Sequence, residues 1–126
     1  MNRSRVSDLK VFQRAYEQSL EIHKSSLTFP QMEQFALADQ IRRASKSICV
    51  NLAEGYAKRV ASQVDFKRYL VIALGSSDEM QIWSRYCSDL GYLDATAADR
   101  WIREYESISG MLQALIRKVA QGVADS

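Results

Sequence analysis

The sequence predicts an all-α protein, an up-down-up-down antiparallel four-helix bundle. Apolar residues recur at steps of three and four along four long segments, which is the pattern of amphipathic helices. The chain of 126 residues contains only five glycines and one proline, too few for the frequent turns of a β-rich fold. The connections between the segments are short, as they are between antiparallel neighbours in a bundle. We therefore expect a single domain over 1–126, with an ordered core over roughly 7–119.

The first helix is predicted to begin after Ser7, a residue type that caps helix N-termini. It is apolar on two sides. The larger stripe, which we expect to face the core, comprises Leu9, Phe12, Tyr16, Leu20, His23 and Leu27. The smaller stripe lies nearly opposite and comprises Val11, Ala15 and Ile22. A helix that is apolar on two sides either lies deep in a bundle or uses its outer side in an oligomer interface. In a single small domain the second alternative is favoured, so we expect this smaller stripe to form an interface between copies of the chain.

The second helix is predicted to begin at Pro30 or Gln34 and to end at Glu54, with Gly55 as its C-terminal stop. Its core stripe comprises Leu37, Ile41, Ala44, Ile48 and Leu52. A polar row follows the flank of this stripe and comprises Gln40, Arg43, Ser47, Asn51 and Glu54. An exposed helix face usually mixes Lys with Glu, whereas this row is mostly neutral. We therefore expect a half-buried hydrogen-bond network, in which Glu79 accepts hydrogen bonds or pairs with Arg43 or Arg42.

The third helix is predicted to begin after Ser62, which with Asp65 resembles a capping box, and to stop at Gly91. Gly75 lies in its interior, where glycine costs up to about 1 kcal/mol, so we expect a neighbouring backbone to approach there. The fourth helix is predicted to begin after Asp94 as N-cap and to extend to Val119.

Composition restricts the function classes. The formal net charge of +2 is too small to indicate nucleic-acid binding by itself, so local clusters of cations must carry that argument. No apolar run approaches the ~18 residues of a membrane span, and the N-terminus has no signal-peptide pattern. We therefore expect no membrane association and a cytoplasmic location. The two cysteines, Cys49 and Cys87, are expected to be reduced and to fill the core.

Several stretches of the sequence resemble a known family. FPQMEQFALADQIRRA, SICVNLAEG, DFKRYL and ALGSSDE occur in the order and spacing of the four-helix-bundle proteins encoded in intervening sequences of bacterial 23S ribosomal RNA genes. This sequence has Phe12 where the family usually has Trp. The family is similar to the pentameric accessory protein of diversity-generating retroelements, which binds nucleic acid and a reverse transcriptase. The resemblance implies a ring-shaped homo-oligomer, with five subunits favoured, and implies no established activity.

The sequence offers little catalytic chemistry. His23 is the single histidine, and neither the paired Glu-x-x-His motifs of di-iron bundles nor a zinc-ligand spacing occurs. Glu54, Asp78 and Glu79 could in principle form an acidic metal site, but a structural role for Glu79 is the favoured interpretation. We therefore predict no catalytic residues, no metal site and no cofactor.

Cations concentrate around the connection between the second and third helices. They are Arg42, Lys46, Lys58, Arg59, Lys67 and Arg68. A ring would repeat this set in every subunit and present several phosphate-binding clusters together. The hypothesis is a non-enzymatic homo-oligomeric scaffold or adaptor that binds RNA or DNA, although these cations could equally be solvated surface. The alternative is a protein-protein interaction module that binds a polymerase or a ribosome-associated factor through the polar row.

Overall fold

The computed structural model describes residues 4–122, which contain four α-helices and no β-strand. The helices are α1, Lys10–Ser26; α2, Leu37–Lys58; α3, Gln63–Asp89; and α4, Ala95–Ala120. Each helix packs on its neighbours in sequence, and α1 also packs on α4, which closes the bundle. The predicted all-α four-helix bundle is therefore confirmed.

Three predicted helix boundaries have the expected capping chemistry. The Ser62 hydroxyl accepts a hydrogen bond from the Asp65 amide at 3.1 Å and opens α3. The Asp94 carboxylate accepts one from the Ala97 amide at 2.8 Å and opens α4. Gly91 ends α3 with a φ of 81°, a left-handed conformation that glycine adopts without strain.

Three other boundaries differ from the prediction. Residues Val6–Asp8 form a separate 3-10 turn, so α1 begins at Lys10. Pro30 likewise opens only a 3-10 turn, and α2 begins after Ala36, whose φ of −123° and ψ of −105° are not helical. Gly55 does not end α2, which continues to Lys58, because this glycine lies in contact with α3 rather than in a turn.

The core lies between the four helices and is filled by large side chains from all of them. Trp101 and Tyr105 of α4 and Phe66 of α3 are almost completely buried. Ile41, Ala44, Ile48 and Leu52 of α2 are buried as predicted, whereas Leu37 is only partly so. Both cysteines are buried, as predicted, and burial raises the pKa of each thiol to about 11, so both are protonated at neutral pH.

The burial of the two apolar stripes of α1 is opposite to the prediction: the smaller stripe faces the core, and residues of the larger stripe face solvent. Val11, Ala15 and Ile22 are 5%, 0% and 0% exposed within a single chain, so they are core residues and cannot form an interface. Tyr16 and Leu20 of the larger stripe are 50% and 43% exposed. The aromatic side chains of α4 occupy the centre of the core, so α1 can pack closely only through its smaller residues.

Buried serines complete the core on several helices. They are Ser19, Ser26, Ser45, Ser77, Ser84 and Ser109. Most of these serine hydroxyls donate a hydrogen bond to the carbonyl oxygen three or four residues earlier in the same helix. Ser19 donates to the Tyr16 carbonyl at 2.7 Å, and Ser84 donates to the Met80 carbonyl at 2.7 Å. A hydroxyl that is satisfied in this way can be buried at little cost.

Candidate functional site

The neutral residues of the polar row include two that join α2 to α3. The Gln40 amide donates to Glu79 Oε1 at 3.2 Å, and the Trp83 indole N–H donates to the same oxygen at 2.8 Å. The Ser47 hydroxyl lies 3.0 Å from that of Ser76, and Asn51 Nδ2 donates to the Ser47 carbonyl at 2.8 Å. The Gln40–Glu79 and Ser47–Ser76 contacts join the two helices, and the other two hydrogen bonds lie within one helix. All four are made within the fold, which reduces what the row can offer to a partner.

The two charged residues of the row lie outside this network. Arg43 is 77% exposed at its side chain and pairs with Asp39 one turn earlier, at 2.8 Å. Glu54 pairs with Lys58 one turn later, at 3.7 Å. Of the two expected roles of Glu79, the acceptance of hydrogen bonds is confirmed and the pairing with Arg43 or Arg42 is wrong. Glu79 is exposed and accepts hydrogen bonds from neutral donors, so it needs no cation to compensate burial.

Arg42 has a structural role that the sequence did not reveal. Its guanidinium donates to the Ser26 hydroxyl at 2.8 Å and to the Gln34 carbonyl oxygen at 2.7 Å, with a third hydrogen bond to the Gln34 side chain at 3.2 Å. Gln34 in turn donates to the carbonyls of Ser26 and Phe29, both at 3.0 Å. Arg42 thus fixes the connection between α1 and α2, and its donors are used within the fold.

Lys46 also faces α1 rather than solvent alone. Its ammonium lies 2.8 Å from Nδ1 of His23, which is half-buried at the edge of α1 instead of in the core. The charge of Lys46, with smaller effects from burial and Arg42, lowers the pKa of His23. His23 is therefore neutral near pH 7 and accepts a hydrogen bond from Lys46.

The other predicted cations cluster at one end of the bundle, which we call the basic end and define as Lys58, Arg59, Lys67 and Arg68. The Arg59 guanidinium stacks over the Tyr56 ring, 3.7 Å from its centroid. Lys58 and Arg68 both lie near the Tyr69 ring, with their charged groups 5.9 and 5.8 Å from its centroid. Arg68 also pairs with Asp65 at 2.8 Å, so the basic end is partly neutralised.

The predicted nucleic-acid set therefore divides into two groups. Residues on α2 advance 1.5 Å each, so Lys46 lies roughly 18 Å along the helix from Lys58. Arg42 lies farther still and faces α1. The prediction grouped these cations because they are close in the sequence. A helix as long as α2 places residues near its two ends far apart in space.

An apolar surface covers the outer side of the contact between α1 and α2. We call it the α1–α2 flank and define it as Phe12, Tyr16, Leu20 and Val50. The Lys46–His23 contact sets the register of the two helices, and it places Val50, one turn later, beside the stretch that contains Leu20. Val50 is 60% exposed, and the rings of Phe12 and Tyr16 stack at 6.0 Å.

A groove follows the contact between α1 and α4, and an open pocket in it has a volume of about 560 Å³. Glu21 lines it and accepts a hydrogen bond from the Trp101 indole at 2.6 Å, and it pairs with Arg100 at 3.4 Å. Farther along, Arg14 pairs with Glu104 at 2.7 Å. Within residues 4–122, no cluster of three His, Cys, Asp or Glu side chains has a geometry that could hold a metal ion. In the same range, no helix is long and apolar enough to cross a membrane.

Fold and surfaces together define a four-helix bundle with an apolar flank, a basic end and an internal polar network. The chain belongs to the 23S rRNA-intervening sequence protein family, whose model matches residues 7–114. The resemblance of its sequence motifs to that family is confirmed. No curated protein matches the chain.

A solved structure agrees with this fold. It is a protein of unknown function from the S23 ribosomal protein family of Bacteroides thetaiotaomicron, with a TM-score of 0.76 and 22% sequence identity. The match covers 85% of this chain and 95% of that one. At this identity the similarity establishes the shared fold and no shared activity.

Proposed function

We propose that the protein is a non-enzymatic homo-oligomeric scaffold that binds RNA or DNA at its basic end. The observation that carries the proposal is the α1–α2 flank, where Tyr16, Leu20 and Val50 remain exposed beside the partly buried Phe12. Contiguous apolar surface on a soluble protein usually marks a protein contact. The family resemblance implies five subunits, and the flank replaces the buried stripe of Val11, Ala15 and Ile22 as the interface.

Assembly is tested with Leu20→Glu combined with Val50→Glu. Both side chains are about half exposed, so the charges should leave the fold intact while they oppose burial in an interface. We expect the particle mass, measured by light scattering after size exclusion, to fall while the helical circular dichroism is kept. The matched control is Gln113→Glu, which adds charge at an exposed position of α4. A mass unchanged by the double substitution would refute the flank as the interface.

The basic end supports the nucleic-acid part of the proposal. Lys58 and Arg59 end α2, and Lys67 and Arg68 lie in the first turns of α3, so the four cations surround one connection. Phosphates attract such clusters, and the guanidinium stacked on Tyr56 offers a flat surface for a base. An oligomer multiplies these contacts, which compensates for the small net charge of one chain.

Fluorescence anisotropy with a labelled, structured bacterial RNA tests this surface across a salt series. Each phosphate contact contributes roughly 0.9 to the slope of log affinity against log salt, so Lys58→Ala with Arg59→Ala should lower that slope by about 1–2. Lys46→Ala removes a cation roughly 18 Å away and serves as the control, with no change expected. Absence of binding at low salt, or equal loss in both variants, would exclude the basic end.

One observation favours a protein partner as a second candidate. Met32 and Phe35, in the connection between α1 and α2, are 79% and 91% exposed. Exposed aromatic and Met side chains are typical anchors of protein interfaces. If the RNA assay is negative, capture of a polymerase or ribosome-associated protein that is lost in Phe35→Ser would support the interaction module.

A further inference from the structure

The outer face of α3 is apolar along most of its length. Its members are spaced by seven and four residues, which places them on one side of the helix, and we define the α3 outer face as Val64, Val71, Gly75, Ile82 and Tyr86. The four side chains are 77%, 49%, 55% and 52% exposed in chain order. They point away from the core, which α3 contacts through Phe66, Leu70, Ala73 and Met80.

The fourth helix shows what the solvated face of this bundle looks like. Its outermost positions are held by Asp99, Arg103, Gln113 and Arg117, all exposed. The outer face of α4 is therefore polar, whereas the outer face of α3 is apolar. At its centre, a Cβ added to Gly75 would meet no heavy atom within 4 Å, so this glycine serves no close contact within the chain. The expected approach of a neighbouring backbone to Gly75 within the fold is wrong, and the position is open to a second molecule.

Charges beside the apolar stripe are arranged asymmetrically along α3. Lys67 and Arg68 flank its N-terminal half, and Asp78 and Glu79 flank its middle, with the exposed Arg85 farther along on the edge of Lys67 and Asp78. Helix geometry places Arg68 and Glu79 along one edge of the stripe and Lys67 and Asp78 along the other. A parallel neighbour would bring like charges together, whereas an antiparallel neighbour brings opposite charges together on both edges.

We propose that the α3 outer face binds the same face of a second copy of this chain, antiparallel and about a two-fold axis near Ala73. In this register Val64 faces Ile82 of the partner subunit, and Val71 faces Gly75 of the partner subunit. Arg68 then lies opposite Glu79 of the partner subunit, and Lys67 opposite Asp78 of the partner subunit. Two-fold symmetry makes every contact occur twice, and the missing side chain at Gly75 lets the two helices approach closely.

This contact is separate from the α1–α2 flank and does not depend on the proposed function. It uses Lys67 and Arg68 of the basic end and leaves Lys58 and Arg59 free of the pairing. If the flank also assembles copies as proposed, the α3 contact joins two such assemblies. The two surfaces can therefore be tested independently in one series of variants.

Charge exchange between positions 68 and 79 gives the sharpest test. The two residues are roughly 16 Å apart along α3, so an ion pair between them can form only across copies. We expect Arg68→Glu alone and Glu79→Arg alone each to halve the particle mass in light scattering at low salt. The double variant R68E/E79R should restore the wild-type mass, because each new carboxylate meets a new guanidinium in the partner.

Val71→Glu provides a second test that does not alter the hydrogen bonds of Glu79. It should halve the mass and leave the thermal midpoint of the separated species within the range of the Gln113→Glu control. Combined with the flank variant Leu20→Glu/Val50→Glu, it should give monomers, whereas the flank variant alone should give two-subunit particles. A mass unaffected by Val71→Glu, or a charge exchange that does not restore it, would overturn the α3 pairing whatever the flank does.

Discussion

Gly55→Ala is expected to destabilise the fold by about 1–3 kcal/mol, as overpacking of a filled contact does. A Cβ at this position would lie 2.8 Å from Cβ of Tyr69 and 3.3 Å from the backbone oxygen of Phe66. Neither atom is the free end of a flexible side chain, so α2 and α3 would have to move apart. That movement would also disturb the burial of Phe66, which is only 1% exposed.

The matched control is Gly110→Ala in α4. Gly110 is also helical, but an added Cβ would meet nothing within 4 Å, so alanine should stabilise the protein by up to about 1 kcal/mol through its higher helix propensity. The free energies of unfolding of both variants can be obtained from urea titrations followed by circular dichroism. If both substitutions stabilise the protein equally, the α2–α3 contact at Gly55 is looser than the structure shows.

Gly55 also illustrates what a single sequence can and cannot reveal. Glycine after a run of periodic residues usually ends a helix, and that rule predicted a stop at this position. The rule is local, whereas the reason for Gly55 is a contact with residues that follow it by more than ten positions. Gly91, by contrast, has a purely local role in a turn, and it was predicted correctly.

The stripes of α1 show a second limit. Periodicity identified both apolar sides of the helix, but the number of residues in each stripe favoured the wrong one as the core face. Which side is buried depends on the volume that the other helices leave, and here Trp101 and Tyr105 leave room for Ala15 and Ser19. Large residues such as Tyr16 consequently remain on the surface. Local sequence signals thus predicted the helices, the fold and the core face of α2. The core face of α1 and the role of Gly55 depend on the volume left by other helices and on contacts with residues distant in the sequence, which local signals do not contain.

The hydrogen bonding of the polar row of α2 was predicted correctly in outline, but the partners of its arginine were not. Neutral amides and hydroxyls at helical spacing indicated hydrogen bonding between helices, and Gln40 and Ser47 make such bonds, while Asn51 supports Ser47 from within α2. Which arginine is structural could not be predicted, because Arg42 and Arg43 are adjacent in the sequence and point in directions about 100° apart. Because only Arg42 bonds to the α1–α2 connection, its substitution has the second large expected effect on stability.

Arg42→Ala is expected to cost about 2–3 kcal/mol, since it removes charge-assisted hydrogen bonds and leaves partners near the α1–α2 connection unsatisfied. Ser26 is fully buried, and both the side chain and the carbonyl of Gln34 lose their donor. Arg42→Lys should recover only part of this loss, because an ammonium cannot reproduce the planar fork that reaches Ser26 and Gln34 together.

Arg43→Ala is the neighbouring control and should change the free energy of unfolding by less than about 0.5 kcal/mol, because its ion pair with Asp39 is exposed. Thermal and urea unfolding of the three variants would measure the difference directly. The Arg42 variant should also show faster hydrogen exchange at the amides of residues 27–36, which this side chain holds in place. Equal stability of the Arg42 and Arg43 variants would mean that the connection is held by the packing of Phe29 against Tyr92, whose rings lie 5.3 Å apart, rather than by the guanidinium.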